Sequence, residues 1–330
     1  MFSQTINDFR VNNEDYPSQA IQGYPSIGCD SAGNSSVIWR DCRGLYPELY
    51  SQRLRSDGTP IGSNFRTSDT VRVGVRGPSI AFHKDGRFVI AYSGNRNIWC
   101  CRFRSDGTPL GLSFKVNDDT IGGGGDYPNI AMDANGSFTV VWSNIGNYHI
   151  YSQRFDSLGN RLGANFRVSD SLNNYAPIPS IAIDREQNFI FTWGVAFPGN
   201  VFGQRYDSLG NRIGSNFRIN DNLLSAYGYN SVSYTANRGF VVAWRNQTNL
   251  IWAQLFDYNG NRIGSNFIVN SDTTGSGIRG PSICQSSANF VITWARTKSY
   301  SQLHVYFQRL DTLGNRIGIN VLVNRDTLFR

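Results

Sequence analysis

The stretch YSQRFDSLGNRLGANFRVSD at 151–170 recurs with drift six times along the chain, each repeat reads as short strands joined by tight turns, and no segment carries the apolar spacing of a helix. Together these observations predict an all-β chain folded as a six-bladed β-propeller of four-stranded antiparallel blades, the ring closed by a terminal rim strand. The other copies open at Tyr50, Trp99, Phe202, Trp252 and Tyr306. Their QR arginines fall at Arg53, Arg102, Arg205 and Arg309, with Leu255 in the fifth copy, a period of about 50 residues.

The third repeat shows how each element is read. PNIAM at 128–132 is a short apolar run, and SFTVVW at 137–142 is β-branched and aromatic, so both are expected to be strands. DANG at 133–136 joins them through a hairpin whose glycine accepts a positive φ. IYSQRF at 150–155 alternates, and DSLGN at 156–160 turns the chain into a fourth strand around 166–168. A line of such sheets would leave strand edges exposed, whereas a ring protects them. The repeat runs nearly end to end without a linker, so residues 1–330 are read as a single domain.

In this ring the inner strands start near Pro25, Pro78, Pro128, Pro179, Asn230 and Pro281 and line the channel. The second strands end at Trp39, Tyr92, Trp142, Trp193, Trp244 and Trp294, a position expected to fill the wedge between neighbouring blades. NDFRVN at 7–12, within an N-terminal lead-in of 1–24, and NVLVN at 320–324, within 319–330, both match the rim strand, which makes one copy too many for six blades. Either end can supply the surplus strand, and Phe9, Val11, Val321 and Val323 are the candidate residues for strand exchange with another molecule.

Apolar residues make up 40% of the chain, aromatics 13%, and there are 34 glycines, enough for a core with many turns. The net charge of +7 invites a nucleic-acid partner, but only Lys84, Lys115 and Lys298 are lysines, and most arginines sit at fixed repeat positions. Such arginines are expected to pair with the equally repeated Asp156, Asp207, Asp257 and Asp311 rather than form a phosphate-binding stripe, so no nucleic-acid partner is expected. No apolar run approaches the roughly 20 residues of a membrane span. MFSQTINDFRVN lacks the basic start and apolar stretch of a secretory signal, and the expectation is a secreted or cell-surface protein whose signal has been removed. Of the five cysteines, Cys29 and Cys284 are both read at the position following PSI, equivalent sites too far apart for a disulfide. Cys100 and Cys101 are expected on opposite faces of one strand; a Cys42–Cys100 bridge is the less favoured reading beside buried free thiols.

VIWRDCRG at 37–44, IYSQRFDSLGNRLGANFRV at 150–168 and PSIAID at 179–184 resemble a repeat of secreted or cell-surface bacterial proteins, with the pattern V-W-x-D-x-R followed by I-Y-x-Q-R-F-D and F-x-V-N. The resemblance covers nearly the whole chain and implies an extracellular β-propeller without an assigned reaction. The Asp and Arg after the Trp stand together only as Asp41 and Arg43.

Catalytic constellations are sparse. His149 and His304 occupy matching positions three blades apart, and His83 lies elsewhere, so no metal or cofactor is expected. The DSLGN turns lack the alternating carboxylates of a calcium loop. Asp30, Asp133, Asp184 and Glu186 leave a glycan hydrolase or lyase as a third reading. The variable loops on one face carry Tyr46, Tyr127, Tyr148, Tyr175, Tyr227, Tyr229 and Tyr300 with Arg43, Arg76, Arg96, Arg279 and Arg296, together with Tyr16, Tyr24, Phe197 and Arg72. An aromatic, arginine-rich face suits glycan stacking or protein contact. The leading expectation is a non-catalytic structural or protein-interaction module that assembles with itself or another surface protein; the alternative is a lectin-like propeller using that face.

Overall fold

The computed structural model describes residues 9–12, 22–69, 75–118, 122–170, 177–195, 199–221, 226–235, 239–271, 276–285, 289–299 and 302–324. Six antiparallel sheets follow one another around a ring as a six-bladed propeller, and no helix is formed among these residues. The third blade runs Gly125–Met132, Phe138–Asn144, Ile150–Phe155 and Arg161–Arg167 from channel to rim, each strand paired with the next in sequence. The sixth places Ser282–Gln285 innermost, followed by Asn289–Ser299, Gln302–Asp311 and Arg316–Leu322, with Ser276–Ile278 an additional partner of its second strand. This is the predicted fold class and radial order.

Where third and outer strands pair, the register slips at one place in five blades, between Ser51 and Arg53, Ser152 and Arg154, Gly203 and Arg205, Ala253 and Leu255, and Phe307 and Arg309. The bulged residue is the repeat glutamine. A bulge frees its side chain from the ladder, and the amide turns inward: Gln153 Nε2 donates to the Arg154 carbonyl at 2.8 Å and the Gly163 carbonyl at 3.1 Å, while Oε1 accepts from Asn165 Nδ2 at 2.6 Å. A fully buried amide needs such partners, because an unsatisfied one costs about 1–3 kcal/mol.

Alternation on each second and third strand divides the core between neighbours. Val140 and Trp142 pack backward on the second blade, and Val141 and Ile150 forward on the fourth. The predicted wedge residues behave accordingly: Tyr92, Trp142, Trp193, Trp244 and Trp294 each lie in a separate buried cluster between two blades.

Those five clusters serve five interfaces. Between the sixth and first blades no such cluster forms among the described residues. Ile27 is 64% exposed, where its counterparts Ile80, Ile130 and Ile181 are 5–8% exposed; Val323 is 45% exposed, where Val168, Ile219 and Val269 are fully buried. Val291, Thr293, Val305 and Phe307, which face the seam, are all only partly buried.

The termini explain the seam. The C-terminal rim copy pairs with its own blade, Leu322 opposite Tyr306 and Val321 opposite Phe307, so the N-terminal copy is the extra one. Residues 9–12 take no strand pairing. They lie against the first blade where the previous blade's rim strand belongs: Val11 accepts from Asn64 Nδ2 at 3.4 Å, as Val116 does from Asn165 and Val168 from Asn216. Phe9 covers Gly58 as Phe267 covers Gly314. One structural position therefore has two occupants, each bound to a different wall of the seam.

The cysteine reading needs a correction. Cys284 follows Pro-Ser-Ile directly, whereas Cys29 comes one residue later, so the two do not share a repeat position. All five cysteines are free; Cys100 and Cys101 are buried in different inter-blade clusters, on opposite faces as expected.

Candidate functional site at the channel mouth

The loops between blades and the hairpins between second and third strands emerge on one face. Its centre is built by the residues that begin the inner strands. Tyr24, Gly77 and Tyr127 each precede a proline and each adopt a left-handed backbone, φ 55°, 49° and 51°. Glycine takes this conformation freely; for tyrosine it is strained by about 1–3 kcal/mol. Tyr229 holds the same place in the fifth blade.

Tyrosines thus come from the first, third and fifth blades, and glycines beside them make the room. A Cβ added at Gly280 would lie 2.5 Å from Tyr229 Cβ, and one at Gly77 would lie 3.9 Å from Tyr127 Cα. The Tyr127 hydroxyl is pushed up from its ordinary pKa by burial, then by Asp126 and by the hydroxyls of Tyr229 and Tyr24, with Arg76 opposing. The hydroxyls of Tyr24 and Tyr229 thus act on that of Tyr127 across the mouth. Asp126 is held by the Ser93 hydroxyl at 2.8 Å and the Tyr127 N–H at 2.9 Å, and Arg76 Nη1 stands 4.0 Å from its other oxygen. Tyr24 is 51% exposed and Tyr229 42%, so the mouth is wet and aromatic at once.

The remaining candidates disperse. Arg279 is exposed and adjoins Gly280 at the same mouth. Tyr46 and Tyr148 are exposed on second-to-third-strand hairpins of the first and third blades, and Arg96 lies on that of the second, its carbonyl accepting from Gly125 N at 2.8 Å. Arg43 faces inward: its guanidinium donates to the buried Asp41 at 2.6 and 2.9 Å and sits 3.9 Å over the Tyr50 ring. Trp39 Nε1 donates to the same carboxylate at 3.0 Å, which makes the W-x-D-x-R motif a structural clasp. Arg296 is buried and unavailable to a ligand. Tyr16, Arg72, Tyr175, Phe197 and Tyr300, and the side chain of Tyr227, lie outside the described residues. Phe9, Val321 and Val323 are exposed along the seam, and Val11 borders an open pocket of about 270 Å³ with Pro25, Val37 and Trp39.

The repeated arginines do not pair with the turn aspartates as expected. Arg154 donates to the Ser208 and Leu209 carbonyls of the next blade, both at 2.6 Å, and Arg53, Arg102 and Arg205 make the same clasp. The aspartates instead cap their own hairpins, Asp156 accepting from the Leu158 and Asn160 N–H groups at 2.9 and 2.8 Å. Spacing reveals that two residue types recur together, but not that each partner lies elsewhere.

The opposite channel mouth opens into a cavity of about 770 Å³ whose lining includes Asp133, Asp184 and Glu186. Asp133 caps Asn135 and Ser137, and Asp184 caps Glu186 and Asn188, all at 2.8–3.0 Å. Asp30 does the same for Ala32 and Asn34. His149 is buried against the Ser169 hydroxyl at 3.0 Å, and His83 lies beside the Ala134 carbonyl at 3.0 Å. Among the described residues, no three His, Cys, Asp or Glu side chains are gathered to hold a metal, and no helix is long and apolar enough to cross a membrane.

No family model and no curated protein matches the chain. Solved structures do. A Dyadobacter fermentans protein of unknown function aligns with a TM-score of 0.65 at 10% identity, covering 89% of this chain and 95% of that one. An α-L-arabinanase from Penicillium chrysogenum, complexed with arabinobiose, aligns at 0.59 and 12% identity over 91% and 97%. The SapL1 lectin in complex with α-methyl fucoside aligns at 0.54 and 13% identity over 91% and 95%. At such identities the likeness shows the fold alone.

Proposed function

We propose that the chain is a non-catalytic, extracellular saccharide-binding propeller whose site is the channel mouth formed by Tyr24, Tyr127 and Tyr229 with Arg76 and Asp126. The reading rests on the three tyrosines from alternate blades, two of them kept in a left-handed conformation that Gly77 takes freely at the same position, so the frame needs this turn but not an aromatic ring. Strain kept at an exposed aromatic position is a mark of function. Sugar rings stack their C–H faces on aromatic rings, while Arg76 and Asp126 supply a donor and an acceptor for hydroxyls. The same frame accommodates saccharides in the arabinanase and lectin complexes, which agrees with this ligand class without establishing it. A glycan array followed by titration calorimetry tests the reading. The Tyr127→Ala and Tyr229→Ala variants are expected to weaken binding at least tenfold with unchanged folding; no glycan bound by the native chain, or undiminished binding by both variants, rejects it.

The seam favours a second reading, self-assembly through the extra N-terminal strand. With two rim copies for one position, a rim copy displaced from its own seam can add to a neighbouring molecule. Light scattering across a range of concentrations should then show oligomers that vanish on deletion of residues 1–12; a concentration-independent monomer excludes it.

A further inference from the structure

The two exposed cysteines lie at the seam, where no hydrophobic cluster forms among the described residues. On the inner strand, the residue after Pro-Ser-Ile faces the next blade: Ala81 belongs to the cluster between second and third blades. The residue after that faces the previous blade: Phe82 packs in the cluster between first and second. Successive blades therefore oppose a small residue to a larger one. A Cβ added at Gly28 would meet Phe82 Cδ2 at 2.7 Å. Ala81 shares a cluster with Met132, Ala131 with Ile183, and Ala182 with Tyr234.

At the seam this pair is Cys284 and Cys29. Cys284, opposite Val291, faces forward from the sixth blade, and Cys29, opposite Ser35, faces back from the first. We propose that Cys29 and Cys284 form a disulfide that closes the ring between its sixth and first blades. At the preceding interface the inner strands converge closely enough for such a bond, the Ile283 N–H reaching Ser231 Oγ at 3.2 Å, and the disulfide would draw the seam to the same spacing. The Cys284 thiol is pushed up by partial burial and then by Cys29, so the Cys29 sulfur is close enough to act on it across the seam.

The other thiols do not compete. Cys100 is fully buried, Cys101 nearly so, and Cys42 is half-buried beside the Arg40 guanidinium at 3.4 Å. A low-molecular-weight disulfide such as oxidised glutathione serves as the oxidant. One cysteine thiolate attacks it and expels a glutathione thiolate; the second cysteine thiolate attacks the resulting mixed disulfide and expels the other. Two protein thiols lose two electrons and two protons, and one glutathione disulfide becomes two thiols. The bond would supply across this seam the restraint that five hydrophobic clusters supply elsewhere, closing a loop that spans most of the chain.

The test uses the full chain, reduced and then equilibrated with oxidised glutathione. Peptide mapping is expected to find Cys29 linked to Cys284 within one molecule, and Tm to rise on the order of 5 °C over the reduced chain. The Cys29→Ser and Cys284→Ser variants should melt like the reduced native chain and ignore the oxidant. Both thiols remaining open to alkylation, a bridge to Cys42, Cys100 or Cys101, a bridge only between molecules, or a correct bridge without a rise in Tm would each overturn the proposal.

Discussion

Arg154 and Arg309 occupy the same repeat position and meet different fates. Arg154 is half-buried and its guanidinium ties down two carbonyls of the following hairpin, while Arg309 faces the seam, is exposed, and makes no such clasp among the described residues. Charge-assisted bonds to backbone are worth more than exposed ion pairs because the carbonyls are fixed and have no competing counter-charge. Arg154→Ala should therefore lower the unfolding free energy by about 1–2 kcal/mol, whereas Arg309→Ala should stay within about 0.5 kcal/mol of the native chain. Denaturant titration of both variants checks the contrast; equal losses would mean that the sixth blade clasps the first after all. The repeat position was legible in the sequence, and so was a structural role for these arginines, but their partners were not. A carbonyl acceptor leaves no residue signature, and Asp156, which does, turned out to cap its own hairpin.

Hairpins carry the pH dependence. Asp207 and Asp311 are held below the usual carboxylate range chiefly by the amides of Asn211 and Asn315. At Asp156 and Asp257 partial burial pushes upward first, and the bonds from Asn160 and Asn261 overcome it. A folded pKa below the unfolded one means the unfolded chain binds protons more readily as pH falls. The contribution of these four turns is complete above about pH 4–5, the upper side of the ordinary carboxylate titration, and is lost progressively as pH drops through the depressed folded values. Unfolding midpoints measured between pH 7 and 2 should decline mainly below about pH 4, and the Asp207→Asn variant should flatten that decline. A native curve level to pH 2 would show that the caps are not selectively stabilising the charged form. These elements were the most legible part of the chain, because strand alternation and the D-x-x-G-N turn are local chemistry. The bulge at Gln153 was not, since a slip in register depends on the neighbouring strand.

At the scale of the molecule, the ring is five packed interfaces and one sparse seam. Truncating a wedge residue such as Trp142 removes contacts from a full inter-blade cluster, at a cost of about 3–5 kcal/mol. Among the described residues nothing comparable joins Ile27 to the sixth blade. The repeat number and radial closure could be read from the sequence, because both follow from periodicity and edge protection. The seam could not, because it depends on where the two surplus-strand candidates settle, and the sequences at 7–12 and 320–324 both match the rim pattern. Of the loop residues, the mouth tyrosines were found by their variability, but their alternation with Gly77 and Gly280 emerges only when the blades are set side by side. Local opening starts where few apolar contacts resist it. Under reducing conditions, backbone amides of Gln22–Cys29 and Ser282–Gln285 should therefore exchange with deuterium at least tenfold faster than those of Gly125–Met132 and Pro179–Ile183, although all four are inner strands. Protection at the seam equal to that between the third and fourth blades would mean that the sixth interface is as firmly packed as the rest, and that the two rim copies are resolved into one closed ring without help from sulfur chemistry.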